Sequence, residues 1–115
     1  MSKYMQMRVR IDPFYKKGFE GAYPRISRGL AYMDEDWSKK ERSLFEIAGQ
    51  LDQLLYQLEA DPPVREIVLK HKSALHGLYE SIEEKIADWH LAEADQLLYK
   101  MEDIFDEIER ELGKI

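Results

Sequence analysis

Apolar residues recur with helical spacing through most of the chain after residue 34. In the first of these stretches the large apolar residues follow the a and d positions of a heptad repeat: Trp37, Leu44, Ile47, Leu51, Leu54 and Leu58. This seam predicts a helix over about residues 38–59. Ser38 and Glu41 have the spacing of a capping box, which marks the beginning of a helix, and Asp34 and Asp36 are alternative caps.

A second helix is predicted over residues 62–87. Pro62 and Pro63 follow Asp61 directly. Proline disfavours helix in the residue before it but fits the first turn of a new helix, so one helix ends here and another begins with Asp61 as its N-cap. The apolar residues of this second helix are Val64, Ile67, Val68, Leu75, Leu78, Tyr79, Ile82 and Ile86.

The phase of the apolar pattern changes after the second helix. Continuing its seam at heptad spacing would require apolar residues where the chain has Glu93, Gln96, Lys100 and Asp103. The apolar residues that do follow keep an unbroken spacing of three and four: Leu91, Ala94, Leu98, Met101, Phe105, Ile108 and Leu112. The chain must therefore turn near Asp88, which is a competent N-cap for a third helix over about residues 89–112, with Gly113 as its terminator.

Three helices of similar length with short connections predict an all-α protein, an antiparallel three-helix up-down-up bundle. Residues 34–115 form this bundle, and residues 1–33 form an N-terminal arm that packs on the bundle or on a partner. Four helices are the alternative if residues 24–33 are helical. Because a three-helix bundle of this size is complete by itself, we expect the arm to be surplus to folding.

The N-terminal arm differs from the bundle in charge and in aromatic content. Residues 1–33 have seven basic and two acidic residues, a net charge of +5, whereas residues 34–115 have a net charge of −11. Six of the 13 aromatic residues are in the arm. Apolar residues alternate with polar ones from Met5 to Ile11, which predicts a short strand.

Basic and aromatic residues in one segment allow three interpretations of the arm. It lies against its own acidic bundle, it binds a protein partner or a second copy, or it grips single-stranded nucleic acid by phosphate contacts and base stacking. The net charge of −6 for the whole chain makes nucleic acid the least favoured partner. The candidate partner-binding residues are Arg8, Arg10, Phe14, Tyr15, Phe19, Tyr23, Arg25 and Arg28.

Candidate residues for catalysis or metal binding are few. The chain has no cysteine, which removes disulfides, thiol nucleophiles and cysteine-based metal sites. His71 occupies a seam position and is expected to be a hydrogen-bonded core residue. The spacing of His71, His76 and His90 gives no His-x-x-x-His pair, so no metal site is predicted. In the second helix Lys70, Ala74, Gly77 and Ser81 share one face. Either Gly77 is simply tolerated inside the helix, or this face is a docking groove for the arm or for a partner.

Two pairs of acidic residues suggest an alternative function. Glu80 and Glu83 on the second helix and Asp103 and Asp106 on the third resemble the paired acidic motifs of all-α nucleotide pyrophosphatases, which hold Mg²⁺. Carboxylates at this spacing share a metal only if both helices turn them toward a common cleft. Asp103 and Asp106 point away from the apolar stripe of their helix, which favours a solvated face.

The sequence favours a non-catalytic helical interaction module that acts through protein–protein contacts of its arm or through self-association. An Mg²⁺-dependent nucleotide hydrolase and a nucleic-acid-associated protein are the alternatives. No cofactor is expected. No apolar run is long enough to cross a membrane and the N-terminus has no apolar leader, so a cytoplasmic location is the default expectation.

Overall fold

The computed structural model describes Tyr4, residues 8–33 and residues 42–115 of the chain. These residues form α-helices and no strand, which confirms the all-α class. The helices are α1 Gly18–Ala22, α2 Pro24–Met33, α3 Leu44–Gly49, α4 Leu51–Gln57 with a 3-10 turn Leu58–Ala60, α5 Pro62–Lys70, α6 Lys72–Ala87 and α7 Leu91–Leu112.

The described part of the chain has more helices than the three that the sequence predicts. The first predicted helix is divided at Gln50 (φ −107°, ψ 17°) and the second at His71 (φ −98°, ψ 0°). Both residues leave the α-helical region for the bridge region, so the helical hydrogen-bond pattern breaks there. Residues Pro24–Met33 are helical, which was the condition for the alternative of four helices.

The predicted strand in the arm is wrong for the residues that the structure describes. Arg8 to Ile11 have no regular secondary structure. Met5 and Met7 lie outside the described residues, as do Trp37 and the proposed caps Asp34, Asp36, Ser38 and Glu41. Without a neighbouring strand in the described chain, the alternating segment has no ladder of hydrogen bonds to form.

Ser43 caps α3, the first helix that the structure describes after the arm. The Ser43 hydroxyl accepts a hydrogen bond from the Glu46 backbone N–H at 3.1 Å, at the beginning of α3. Ser43 and Glu46 have the same Ser-x-x-Glu spacing as Ser38 and Glu41, whose predicted cap lies outside the described residues. Asp61 occupies the N-cap position of α5 but makes no side-chain capping bond.

The predicted turn near Asp88 is present, but Asp88 has a different role. Asp88 is the C-cap residue of α6, and the N-cap position of α7 is occupied by His90. The His90 N–H donates to the Lys85 carbonyl at 2.8 Å and the Trp89 N–H to the Ile86 carbonyl at 3.0 Å. These two bonds form a Schellman motif, and Trp89 occupies its left-handed position with φ 59°.

The hydrophobic core joins the arm to the later helices. Buried apolar residues from α3, α4, α6 and α7 form its centre: Ile47, Leu51, Leu54, Leu55, Leu75, Ile82, Met101, Phe105 and Ile108. Tyr23 and Ile26 of the arm are buried in the same cluster. The arm therefore contributes to the core, whereas the sequence suggested a bundle complete without it.

A hydrogen-bonded histidine lies at the junction of α5 and α6. The His71 ring Nε2 is 3.2 Å from Glu111 Oε1 of α7, and Lys70 Nζ is 3.1 Å from the same oxygen. Hydrogen bonding from Lys70, with a smaller contribution from His71, lowers the pKa of Glu111 below its usual value. These bonds tie the break between α5 and α6 to the last turns of α7.

Candidate partner-binding surface

A series of aromatic rings attaches the arm to α7. The Tyr15 and Phe19 rings pack edge to face with centroids 5.4 Å apart, and Phe19 and Tyr23 are tilted at 5.7 Å. Tyr23 then packs edge to face on Phe105 of α7 at 6.4 Å. Such pairs add to the free energy of simple area burial, so the arm has a defined position on the bundle.

Two tyrosine hydroxyls fix the same segment by hydrogen bonds. The Tyr15 hydroxyl donates to the Arg42 carbonyl at 2.7 Å, just before α3. The Tyr23 hydroxyl donates to Asp106 Oδ1 of α7 at 2.9 Å. Burial, together with the adjacent Asp106 carboxylate, raises the pKa of Tyr23 above its usual value, so this hydroxyl stays protonated as a donor.

The first turn of α2 is capped from α7. Glu109 accepts hydrogen bonds from the backbone N–H groups of Arg25 at 2.7 Å and Ile26 at 2.9 Å. Pro24 is the first residue of α2 and has no N–H to satisfy. A carboxylate at this position complements the positive end of the helix dipole, so Glu109 holds the first turn of α2 on α7.

Phe14 is a large apolar side chain that the anchored arm exposes to solvent. Phe14 is 86% exposed, although its neighbour Tyr15 is half-buried. Phe14 lines a cavity of about 380 Å³ whose other side includes Leu98 and Tyr99 of α7, and Tyr99 is 61% exposed. We call this region the Phe14–Tyr99 surface, and it comprises Ile11, Asp12, Pro13, Phe14, Tyr15, Phe45, Asp95, Leu98, Tyr99 and Glu102.

Carboxylates border the aromatic part of this surface. Asp12, Asp95 and Glu102 line the same cavity. Partial desolvation, with repulsion from Asp106, Asp103 and Asp95, raises the pKa of Glu102 above its usual value. The Phe14–Tyr99 surface therefore combines exposed aromatic rings with negative charge that is not fully compensated.

The structure divides the predicted partner-binding residues among several places. Phe14 and Tyr15 line the Phe14–Tyr99 surface, and Phe19 and Tyr23 pack inward. Arg8 and Arg10 are exposed, and Arg10 Nε lies 2.9 Å from Asp12 Oδ1. Arg25 and Arg28 line a separate cavity. Its other lining residues are Ile26, Gly29, Leu54, Leu58, Asp61, Val64, Val68, Phe105, Ile108, Leu112, Gly113 and Ile115.

Sequence reasoning missed the α7 side of the Phe14–Tyr99 surface. Asp95, Tyr99 and Glu102 are spaced by four and three residues, so they share one face of α7. Tyr99 stands outside the apolar stripe of that helix. A large aromatic at a position predicted to be polar was the available signal.

The acidic pairs do not converge in the described residues. Asp106 accepts the Tyr23 hydroxyl bond, and Glu80 lies 3.2 Å from His76 on its own helix. In residues 8–33 and 42–115, no three His, Asp or Glu side chains are grouped to hold a metal ion. The described residues thus add no observation in favour of the hydrolase alternative.

The face that contains Gly77 is open to solvent. Gly77 itself is exposed, and a Cβ atom built on it would meet nothing within 4 Å. The described part of the arm does not occupy this face. The interpretation of Gly77 as a docking groove for the arm therefore has no support in the part of the chain that is described.

No family model, curated protein or solved structure matches this chain. Among the described helices, none is both long enough and apolar enough to cross a membrane.

Proposed function

We propose that this protein is a non-catalytic helical interaction module that binds a protein partner through its Phe14–Tyr99 surface. The observation that carries the proposal is the exposure of Phe14, at 86%, on a segment that Tyr15 and Tyr23 otherwise anchor to the bundle. Exposed aromatic side chains on a fixed frame lose little conformational entropy on binding, and they are frequent among the residues that dominate interfaces.

The chemistry of the surface defines the partner. An apolar side chain of the partner enters the cavity between Phe14 and Tyr99, and lysine or arginine side chains on either side face Asp95 and Glu102. Most of the affinity comes from the apolar contact, because exposed ion pairs are weak and screened by salt. The charges select a basic segment over an acidic one and increase the association rate.

The frame of this module, in our proposal, is the antiparallel up-down-up arrangement of three helical segments, 44–60, 62–87 and 91–112. The arm completes it by contributing Tyr23 and Ile26 to the core. The arm itself carries an exposed basic residue, Arg8, next to an exposed apolar residue, Val9, which is the combination expected of the partner. A second copy of the chain is therefore one form that the partner can take. The cytoplasmic location expected from the sequence stays a prediction.

A displayed peptide library tests the proposal, because it presents peptides of every composition to the protein and leaves the protein to select among them. Peptides selected on the wild-type protein are expected to combine Lys or Arg with Leu, Phe or another large apolar residue. Phe14→Ala and Tyr99→Ala are each expected to weaken the selected peptides at least about tenfold. Tyr56→Ala is the matched control, because Tyr56 is 74% exposed and lines neither cavity.

Two results would contradict the proposal. One is the selection of acidic or wholly polar peptides. The other is equal loss of binding in Tyr56→Ala and Tyr99→Ala, which would mean that any exposed tyrosine serves. Circular dichroism of each variant confirms that its helices are intact, so that a loss of binding reports on the surface.

A further inference from the structure

The cavity lined by Arg25 and Arg28 extends from the hydrophobic core to solvent. It has a volume of about 360 Å³ and lies between α2, the 3-10 turn after α4, α5 and α7. Its inner wall consists of buried apolar residues: Leu54, Leu58, Val68, Phe105 and Ile108. The exposed residues that line it include Arg25, Arg28 and Asp61. Small-molecule sites are typically cavities of this size, mostly apolar with a few polar groups.

The two arginines that line this cavity differ in their partners. The Arg25 guanidinium Nη1 lies 3.8 Å from Glu109 Oε1, the carboxylate that also caps α2. Arg28 makes no hydrogen bond or ion pair within the described chain. Its charge is therefore free to meet an anion from outside, next to an apolar cavity one helical turn away from Arg25.

We propose that this cavity binds a small amphipathic carboxylate with an aliphatic chain. The chain lies along Val64, Val68 and Ile108, and the carboxylate pairs with the Arg28 guanidinium. A planar guanidinium forms two parallel hydrogen bonds with a carboxylate, which gives the site a preference for anionic over cationic amphiphiles. This site shares no residue with the Phe14–Tyr99 surface, so either can be present without the other.

The test is a titration of the whole chain with decanoate, followed by the methyl signals of isoleucine, leucine and valine in NMR spectra. Saturable shifts are expected for Val64, Val68 and Ile108. Ile82, which is fully buried but lines neither cavity, is expected to shift little. Decyltrimethylammonium, a cation with an alkyl chain one carbon longer, is expected to bind at least about tenfold more weakly.

Variants separate a specific site from a non-specific apolar surface. Arg28→Gln is expected to weaken decanoate about three- to fivefold, whereas Arg8→Gln, which changes an exposed arginine of the same arm outside both cavities, leaves the affinity within about twofold. Val64→Trp fills the cavity and is expected to abolish the shifts at Val68 and Ile108. Equal binding of the cation, unchanged affinity in Arg28→Gln, or no saturable shift in the folded protein would each overturn the proposal.

Discussion

The Tyr23 hydroxyl donates a 2.9 Å hydrogen bond to Asp106, a residue 83 positions later in the chain. This bond joins the arm, between α1 and α2, to α7, where the Tyr23 ring also packs on Phe105. The position of Phe14 depends on this anchor, because the rings of Tyr15 and Phe19 continue from Tyr23 toward it. The Phe14–Tyr99 surface is therefore built on a tertiary contact and not on a local motif.

Tyr23 is expected to stabilise the fold mainly through its ring. Tyr23→Phe removes only the hydrogen bond and leaves Asp106 exposed to water, so it should cost about 1 kcal/mol or less. Tyr23→Ala also removes the buried ring and should cost about 3–5 kcal/mol. Urea unfolding measures both values. A loss below about 1 kcal/mol in Tyr23→Ala would show that the arm does not pack on α7 as described.

Two glycine-to-alanine changes are expected to act in opposite directions. Gly77 lies inside α6 and a Cβ there meets nothing, so Gly77→Ala should stabilise the protein by about 0.5–1 kcal/mol. At Gly49 a Cβ would lie 2.7 Å from Cε2 of Tyr79, whose ring stacks on Phe45 with centroids 4.4 Å apart. Gly49→Ala should displace that ring and cost about 1 kcal/mol.

Thermal unfolding of both glycine variants provides the check. The two changes are chemically identical and both positions are helical, so a general effect of alanine would move both melting temperatures upward. Stabilisation by Gly49→Ala as large as that by Gly77→Ala would contradict the described position of Tyr79.

The sequence predicted the elements whose signals are local. The phase jump between Ile86 and Leu91 located the turn near Asp88, because apolar periodicity follows directly from which helix face is buried. The all-α class came from the same pattern. The breaks at Gln50 and His71 were not predicted. At His71 neither neighbour is glycine or proline, and the bonds to Glu111 come from a distant part of the chain.

The candidate surface was predicted only in part, for the same physical reason. The arm's aromatic content pointed to Phe14, Tyr15, Phe19 and Tyr23 as a group. Which of them point inward depends on contacts with Phe105 and Asp106 that no local pattern encodes. Tyr99 was missed because the apolar stripe was sufficient to predict α7 and its buried face, and Tyr99 lies outside that stripe.

Trp89 is expected to destabilise the turn that it occupies. Its φ of 59° is a conformation that glycine adopts without steric cost and other residues adopt at a cost of about 1–2 kcal/mol. Trp89→Gly should therefore stabilise the protein by about 1 kcal/mol or less, because loss of the covered part of the indole, which is 45% exposed, offsets part of the backbone gain. Asp88→Gly is the matched control, because Asp88 has φ −89°.

The control should show the opposite sign. At a negative φ, glycine only adds conformational freedom to the unfolded chain, so Asp88→Gly should destabilise the protein slightly. A larger loss in Trp89→Gly than in Asp88→Gly would mean that the indole makes a contact that outweighs the backbone cost.

Glu102 and Glu111 are expected to give opposite pH dependence. The folded-state pKa of Glu102 is raised, so its ionisation destabilises the folded protein increasingly as pH rises through that pKa. Glu102→Gln should therefore raise the melting temperature at pH 7 and have little effect at about pH 3, below the ordinary pKa of glutamate. High salt should reduce the gain by screening Asp95, Asp103 and Asp106.

The folded-state pKa of Glu111 is lowered, so its contribution to stability is present above the ordinary pKa and is lost as pH falls through the folded pKa. Glu111→Gln should lower the melting temperature at pH 7, with a smaller difference at about pH 3. Melting curves of both variants across this range measure the signs. A pH-independent difference in either variant would contradict the assigned carboxylate environment.

Photo-crosslinking inside cells of the source organism tests the central claim most directly. A benzoylphenylalanine is placed at position 14, 99 or 56 in the full chain, and the crosslinked products are separated by mass. We expect the same discrete protein adduct from positions 14 and 99 and none from position 56, although Tyr56 is 74% exposed. An adduct of twice the chain mass would identify the partner as a second copy. The same adducts from all three positions, or none from positions 14 and 99, would contradict the Phe14–Tyr99 surface as the binding site.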